Sequence, residues 1–173
     1  MTRLLAEGLI RDVLDFPKPG INFKDITPAL LNIESFQEIV DRLVEIALSS
    51  APDIVVGIES RGFILAAPVA LAVGAGFVPV RKSGKLPHDV VSASYSLEYG
   101  TSTIEIHSDA IKSGQRVLII DDVLATGGTA AAAATLVEQL QGVVVGVLFL
   151  IELEHLNGRR NLGRLSCESL LHL

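Results

Sequence analysis

V-L-I-I-D-D-V-L-A-T-G-G-T-A-A-A-A-A, residues Val117 to Ala134, is the stretch from which the rest of the chain is best read. It opens on four apolar, mostly β-branched residues suited to a buried strand and closes on an alanine run with high helix propensity. Between them, Ala125, Thr126, Gly127, Gly128 and Thr129 lie where the chain leaves a strand and enters a helix. Backbone N–H groups at such a junction converge on an anion, with the helix N-terminus behind them. The glycines let backbone approach the anion closely, and the threonine hydroxyls add donors. Asp121 and Asp122, at the C-terminal edge of the strand, supply acceptors for sugar hydroxyls or for a hydrated metal. A phosphate joined to a diol satisfies both halves of the pattern, as in a ribose 5-phosphate.

Taken alone, D-D-V-L-A-T-G-G-T also fits an ordinary strand-to-helix turn with a capping threonine. Two consecutive carboxylates ending an apolar strand weigh against that, because buried carboxylates are costly unless something pairs with them. Other phosphate motifs are missing. No G-x-x-x-x-G-K-[ST] occurs, and Gly74-Ala75-Gly76 meets Pro79 where a dinucleotide fingerprint needs a third glycine.

The 173 residues are enough for one domain with a substantial core, and 49% hydrophobic with 20% charged content is that of a globular protein. A net charge of −6 argues against nonspecific nucleic-acid binding. Cys167 is the only cysteine, which excludes an internal disulfide and fits a reducing compartment. The uncharged run Phe63 to Val80 is divided by Pro68, Gly74, Gly76 and Pro79 into a helix of about ten residues, a turn and a strand, so a membrane span is not expected. No secretory signal pattern opens the chain, and His88, His107, His155 and His172 have no metal-ligand spacing.

Leu4, Leu5, Leu9, Ile10 and Val13 share a helical stripe and predict an amphipathic helix over the first dozen residues, broken by F-P-K-P-G at Phe16 to Gly20. Ser35-Phe36-Gln37-Glu38 has the form of a capping box opening a helix that ends near Ser49. A strand over Ile54 to Ile58 runs into E-S-R-G-F, placing Ser60, Arg61 and Gly62 at a strand C-terminus, the edge where α/β sheets collect ligands. By itself Arg61 could be a surface charge. Arg81, Lys82 and Lys85 crowd R-K-S-G-K after the next strand, either as a solvated loop or as an attractor for a polyanion. Alternation from Val90 to His107 predicts a two-stranded excursion whose tip holds Glu98, Tyr99 and Gly100. The helix begun at the alanines is expected to end at Gly142. Val143 to Ile151 then reads as an interior parallel strand, and Leu165 to Leu171 as a last short one. Strands alternating with helices make the fold α/β, with a mainly parallel central sheet flanked by helices.

V-L-I-I-D-D-V-L-A-T-G-G-T resembles the phosphoribosyl diphosphate (PRPP) signature of the type I phosphoribosyltransferases. Its D-D and A-T-G-G-T form is most similar to the adenine-specific members, whereas orotate and hypoxanthine relatives more often carry E-D. E-S-R-G-F resembles the family's diphosphate loop, F-P-K-P-G-I-N-F-K-D-I-T-P the hood of the adenine enzymes, S-Y-S-L-E-Y-G their flexible catalytic loop, and I-E-L-E-H-L-N-G-R-R a further family segment in which the role of Glu152 is undetermined. The resemblance runs from about Phe16 to Arg159. It implies a single phosphoribosyltransferase domain over 1–173, with a hood at about 1–32 and a β-hairpin lid at about 82–107.

It also implies a division of roles. Asp121, Asp122, Ala125, Thr126, Gly127, Gly128 and Thr129 would hold ribose 5-phosphate; Ser60, Arg61, Arg81, Lys82 and Lys85 would hold diphosphate. Phe23 would stack on adenine, with Asn22 and Lys24 reading its edge through main-chain groups. The family commonly has arginine in place of Lys24 and often an aliphatic residue in place of Asn22, changes that main-chain readout tolerates. Glu98 would be the general acid/base and Tyr99 would help close the site, with Arg61 acting on the leaving group. Mg²⁺ would be held mainly by the substrate, with no direct protein ligand. The partners implied are adenine and PRPP, AMP and diphosphate, with no nucleic acid and no membrane, in a cytoplasmic homodimer. Two other readings keep the fold: a phosphoribosyltransferase for another purine or a pyrimidine, and a non-catalytic PRPP-sensing regulator.

Overall fold

A computed structural model describes residues 4–96 and 101–173, which fall into two compact units, Met1–Arg42 and Leu43–Leu173. In the first unit a 3₁₀ turn at Leu5–Gly8 precedes strand β1 (Arg11–Leu14), which pairs antiparallel with β2 (Asn22–Asp25). The N-terminal amphipathic helix is therefore not formed. Its apolar stripe spans too few residues to distinguish helix from strand, and pairing to a segment ten residues away decides the matter. Arg11 lies opposite Asp25 and Asp12 opposite Lys24, and both pairs are ion pairs, Arg11 Nη2 standing 2.8 Å from Asp25 Oδ2. Helix α1 (Thr27–Leu31) follows, and then α2 (Ile33–Ser50), which continues into the second unit.

The helix start also differs from the capping-box reading. Asn32 caps α2, its Oδ1 accepting the Ser35 N–H at 2.9 Å, and Ser35 itself is buried inside the first turn. The expected apolar ridge holds, with Ile39, Leu43 and Ala47 fully buried at four-residue spacing.

The second unit is built on a seven-stranded sheet in the order β5-β6-β4-β3-β7-β8-β9. Strands β3 (Ile54–Ile58), β4 (Gly76–Lys82), β7 (Arg116–Leu124), β8 (Val143–Glu152) and β9 (Cys167–His172) are mutually parallel. The antiparallel hairpin of β5 (Val90–Ser96) and β6 (Thr101–His107) is attached to β4. Helices α3 (Arg61–Val73), α4 (Gly128–Gln139) and α5 (Arg159–Leu162) complete it. Val55, Val56, Ile119, Ile120, Val147 and Leu150 are fully buried, as near-continuous apolar strands of a covered parallel sheet should be. Ala130, Ala132, Ala133 and Ala134 of α4 are buried too, their small side chains letting the helix lie close to its neighbours.

Pro68 sits within α3 rather than ending it, and Gly74 closes that helix with φ 72°. Helix α4 ends at Gln139, three residues before the glycine expected to close it; Gln141 takes the left-handed conformation, with φ 62°. Among the described residues no helix is long and apolar enough to cross a membrane.

The topology dictates where a ligand can sit. From β3 the chain crosses to β4 on one side and later returns to β7 on the other, with Gly57 in register with Ile120. The ends of β3 and β7 therefore diverge into helices and loops on opposite sides, leaving a crevice at the carboxyl edge.

Candidate active site

Two of the expected motifs meet at that crevice. Asp121 and Asp122 lie in the second half of β7, and Glu59, Ser60 and Arg61 follow the end of β3. Arg61 opens α3, and its Nε lies 2.5 Å from Asp122 Oδ2. The sequence places Arg61 with diphosphate and Asp122 with ribose, whereas the fold pairs them directly. Asp122 is buried and its N–H donates to Asp121 Oδ1 at 2.9 Å. Burial pushes both carboxyls up. Asp121 stands well above the usual range, with the charge of Asp122 adding to burial; for Asp122, the Arg61 guanidinium works against burial without cancelling it.

Gly62 explains how α3 reaches this position. A Cβ there would lie 2.8 Å from Asp121 Oδ1, 2.9 Å from the Ile120 carbonyl and 3.2 Å from Asp121 Cα. Only a hydrogen at that point lets the first turn of α3 rest on β7.

Beyond β7, residues 125–127 turn into α4. Gly127 is the N-cap residue, with φ 81°, and Gly128 and Thr129 form the first turn. Asp121, Ala125, Thr126, Gly127 and Thr129 border a cavity of about 60 Å³ at this junction. The unpaired N–H groups of a helix start face such a space, so an anionic group is the chemistry it accepts. All seven residues assigned to ribose 5-phosphate thus lie on one strand end and the turn after it.

The basic turn is organised by carboxylates that sequence reading did not assign. Glu59, the residue after β3, is 10% exposed at its side chain; it accepts from Lys85 Nζ at 2.9 Å, the Lys82 N–H at 3.0 Å and Arg81 Nε at 3.2 Å. Burial alone would raise its carboxyl, but Lys85, the Lys82 N–H and Arg81 together draw it down to about 2. From β6, buried Glu105 accepts the Gly84 N–H at 2.9 Å and bonds the Ser83 hydroxyl, which holds it below the usual carboxylate range. Arg81 and Lys85 are therefore ion-paired, while the Lys82 side chain stays exposed with no such partner among the described residues. The E of E-S-R-G-F was visible in the sequence; that it faces the basic turn was not.

Asn22, Phe23 and Lys24 lie side by side on β2 of the first unit. Phe23 packs edge-on against Phe16 with ring centres 5.3 Å apart, and the Lys24 ammonium is ion-paired with Asp12. Glu98 and Tyr99 lie outside the described residues; the strands leading to them pair from Val90 opposite His107 to Ser96 opposite Thr101. Glu152, of undetermined role in the sequence, is buried and takes a bidentate ion pair from Arg159, at 2.7–2.9 Å.

Comparison with known proteins identifies the family. Residues 27–162 match the family described as phosphoribosyl transferase domain. The chain is 57% identical over 169 residues to adenine phosphoribosyltransferase of Acidothermus cellulolyticus, covering 98% of this chain and 96% of the relative. It is similar to the crystal structure of adenine phosphoribosyltransferase from Thermoanaerobacter pseudethanolicus, with a TM-score of 0.95 and 48% identity over 97% of this chain and 98% of that one. The Saccharomyces cerevisiae enzyme of the same name, crystallised with an imino-altritol bisphosphate and adenine, is 42% identical, with a TM-score of 0.90 over 96% of each chain.

Proposed function

The chain belongs to the phosphoribosyltransferase family and, within it, to the adenine phosphoribosyltransferases; from that premise we propose how its residues move the 5-phosphoribosyl group of PRPP to adenine, giving AMP and diphosphate. The observation that carries the assignment of roles is the meeting of Arg61 with the Asp121-Asp122 pair beside the turn 125–129. A ribose bound there has its 5-phosphate on Ala125 to Thr129 and its hydroxyls on the two aspartates.

Cleavage of the C1′–O bond builds positive charge on the ribose ring and negative charge on the departing diphosphate. The carboxylates below the ring favour the first, and cations at the carboxyl edge favour the second. Arg61 and Ser60 meet the diphosphate from the start of α3. Lys82, with no ion-pair partner among the described residues, offers it an ammonium, while Arg81 and Lys85, occupied by Glu59, hold the turn and contribute through their field. Mg²⁺ enters with the substrate. Among the described residues no cluster of three or more His, Cys, Asp or Glu could hold a metal ion, and Asp122 is engaged by Arg61. Held by the diphosphate and ribose hydroxyls of PRPP, the ion would neutralise leaving-group charge.

Phe23 stacks on the base, and the main chain of Asn22 and Lys24 reads its edge. Using the main chain of Lys24 is compatible with its ammonium being tied to Asp12. Glu98 handles the purine proton and Tyr99 helps close the site, excluding the water that competes with adenine. A cytoplasmic homodimer completes the proposal: Ile64, Leu71 and Phe77 are exposed on α3 and β4, apolar surface that a second copy would cover.

A steady-state assay with PRPP and adenine, hypoxanthine, guanine, xanthine or orotate tests the reading. Turnover with adenine alone is expected. Absence of turnover with every base would defeat it, and PRPP binding without turnover would point to a sensor.

A further inference from the structure

The segment Ile151 to Asn161 is the I-E-L-E-H-L-N-G-R-R motif with the asparagine that follows it, and the reaction assigns it no role. In the fold it lies behind the 125–129 turn. Asn161 Nδ2 donates to the Thr126 carbonyl at 2.7 Å. Gly158 and Gly127 face each other so closely that a Cβ on Gly158 would collide with the Ala125 carbonyl, and one on Gly127 with the Gly158 carbonyl. The segment is itself anchored. Arg159 grips the buried Glu152 carboxylate with Nε and Nη2 at 2.7–2.9 Å, and its Nη1 donates to the Cys167 carbonyl at 2.6 Å. The Arg159 guanidinium holds the Glu152 carboxyl below its ordinary range. Leu153, next to Glu152, donates its N–H to the Leu124 carbonyl at 2.9 Å, tying the start of the segment to the end of β7.

We propose that Asn161 is a positioning residue for the phosphate-binding turn, with the Glu152–Arg159 pair and Gly158 fixing the platform from which it acts. The physical basis is the planarity of the peptide. In a trans peptide the C=O and the following N–H point in opposite directions. Fastening the Thr126 carbonyl outward onto Asn161 therefore turns the Gly127 N–H the other way, toward the cavity bordered by Thr126, Gly127 and Thr129. Among the described residues no acceptor takes that Gly127 N–H. Gly127, at φ 81°, has no Cβ to hold this peptide in one orientation, so an external donor is what fixes it. Asn161 touches no reacting atom; it sets the direction of a donor to the 5-phosphate.

The inference rests on the reading of 125–129 as the 5-phosphate site, and the experiment separates the two. Wild type, Asn161→Ala and the isosteric Asn161→Asp, which replaces the donor with an acceptor, are compared by calorimetry with ribose 5-phosphate and with diphosphate, and by steady-state kinetics. Expected is a loss of about tenfold or more in ribose 5-phosphate affinity and a matching rise in KM for PRPP, larger for Asn161→Asp. KM for adenine, diphosphate affinity and the melting temperature should stay near wild type, which a merely structural role would not allow. Unchanged ribose 5-phosphate affinity in both variants, or parallel losses for adenine and PRPP together, would overturn the proposal. If the wild type itself fails to bind ribose 5-phosphate, the reading of the turn falls and this inference with it.

Discussion

Replacing Gly62 with alanine adds one methyl group at the point where α3 rests on β7. The three atoms it meets, at 2.8, 2.9 and 3.2 Å, are Asp121 Oδ1, the Ile120 carbonyl and Asp121 Cα. None can move aside cheaply: two are backbone of a central strand, and Asp121 Oδ1 is held by the Asp122 N–H. Overpacking of this kind costs about 2 kcal/mol, which in a protein of this size lowers the melting temperature by about 4–8 °C. The strain falls on Asp121 and on Arg61, so displacement of either by about 1 Å should reduce kcat/KM for PRPP by about 10²-fold. Gly74, at the other end of the same helix, provides the control. Its φ is 72° and a Cβ there meets nothing within 4 Å, so Gly74→Ala carries only the left-handed backbone cost of about 1 kcal/mol. Both variants should melt earlier in differential scanning fluorimetry, but only Gly62→Ala should lose PRPP kinetics. Wild-type melting and wild-type kcat/KM in Gly62→Ala, or equal kinetic losses in the two variants, would refute the packing argument.

Glu98→Ala should lower kcat by about 10²-fold while leaving PRPP affinity intact; unchanged kcat would remove Glu98 from proton transfer. Because the Glu59 carboxyl is lowered from 4.5 to about 2, its contribution to stability is complete above 4.5 and disappears as pH falls toward 2. Urea denaturation of wild type and Glu59→Gln across that interval should converge at its acid end, and parallel curves would rule this contribution out. Asp121 has the opposite sign. Its carboxyl is raised by burial and by Asp122, so its ionisation costs stability as pH rises through the folded value. Asp121→Asn should therefore melt later than wild type at pH 7 and yet lose at least about tenfold in kcat/KM for PRPP; a melting temperature at or below wild type would contradict this.

The fold class follows from local pattern. Apolar runs at Ile54 to Ile58, Val117 to Ile120 and Val143 to Ile151 are long and β-branched enough to be buried strands, and each is followed by a turn or helix signal. The strand-to-helix junction at 125–129 was legible for the same reason, since its glycines and threonines adjoin one another between an apolar strand and an alanine run. What the tertiary structure decided is whatever depends on residues distant in sequence. Strand β1 replaces the N-terminal helix because Arg11 and Asp12 find Asp25 and Lys24 across a hairpin. Arg61 reaches Asp122, sixty-one residues on, because β3 and β7 are neighbours and Gly62 carries no side chain. Glu59 neutralises Arg81 and Lys85, and Asn161 fastens Thr126, through contacts that leave no local periodicity. Hydrophobic period and turn chemistry are properties of a few adjacent residues and can be read along the chain. A carboxylate or an amide acquires its role from the group that packing brings against it, and that group is named only when the sheet has chosen its strand order.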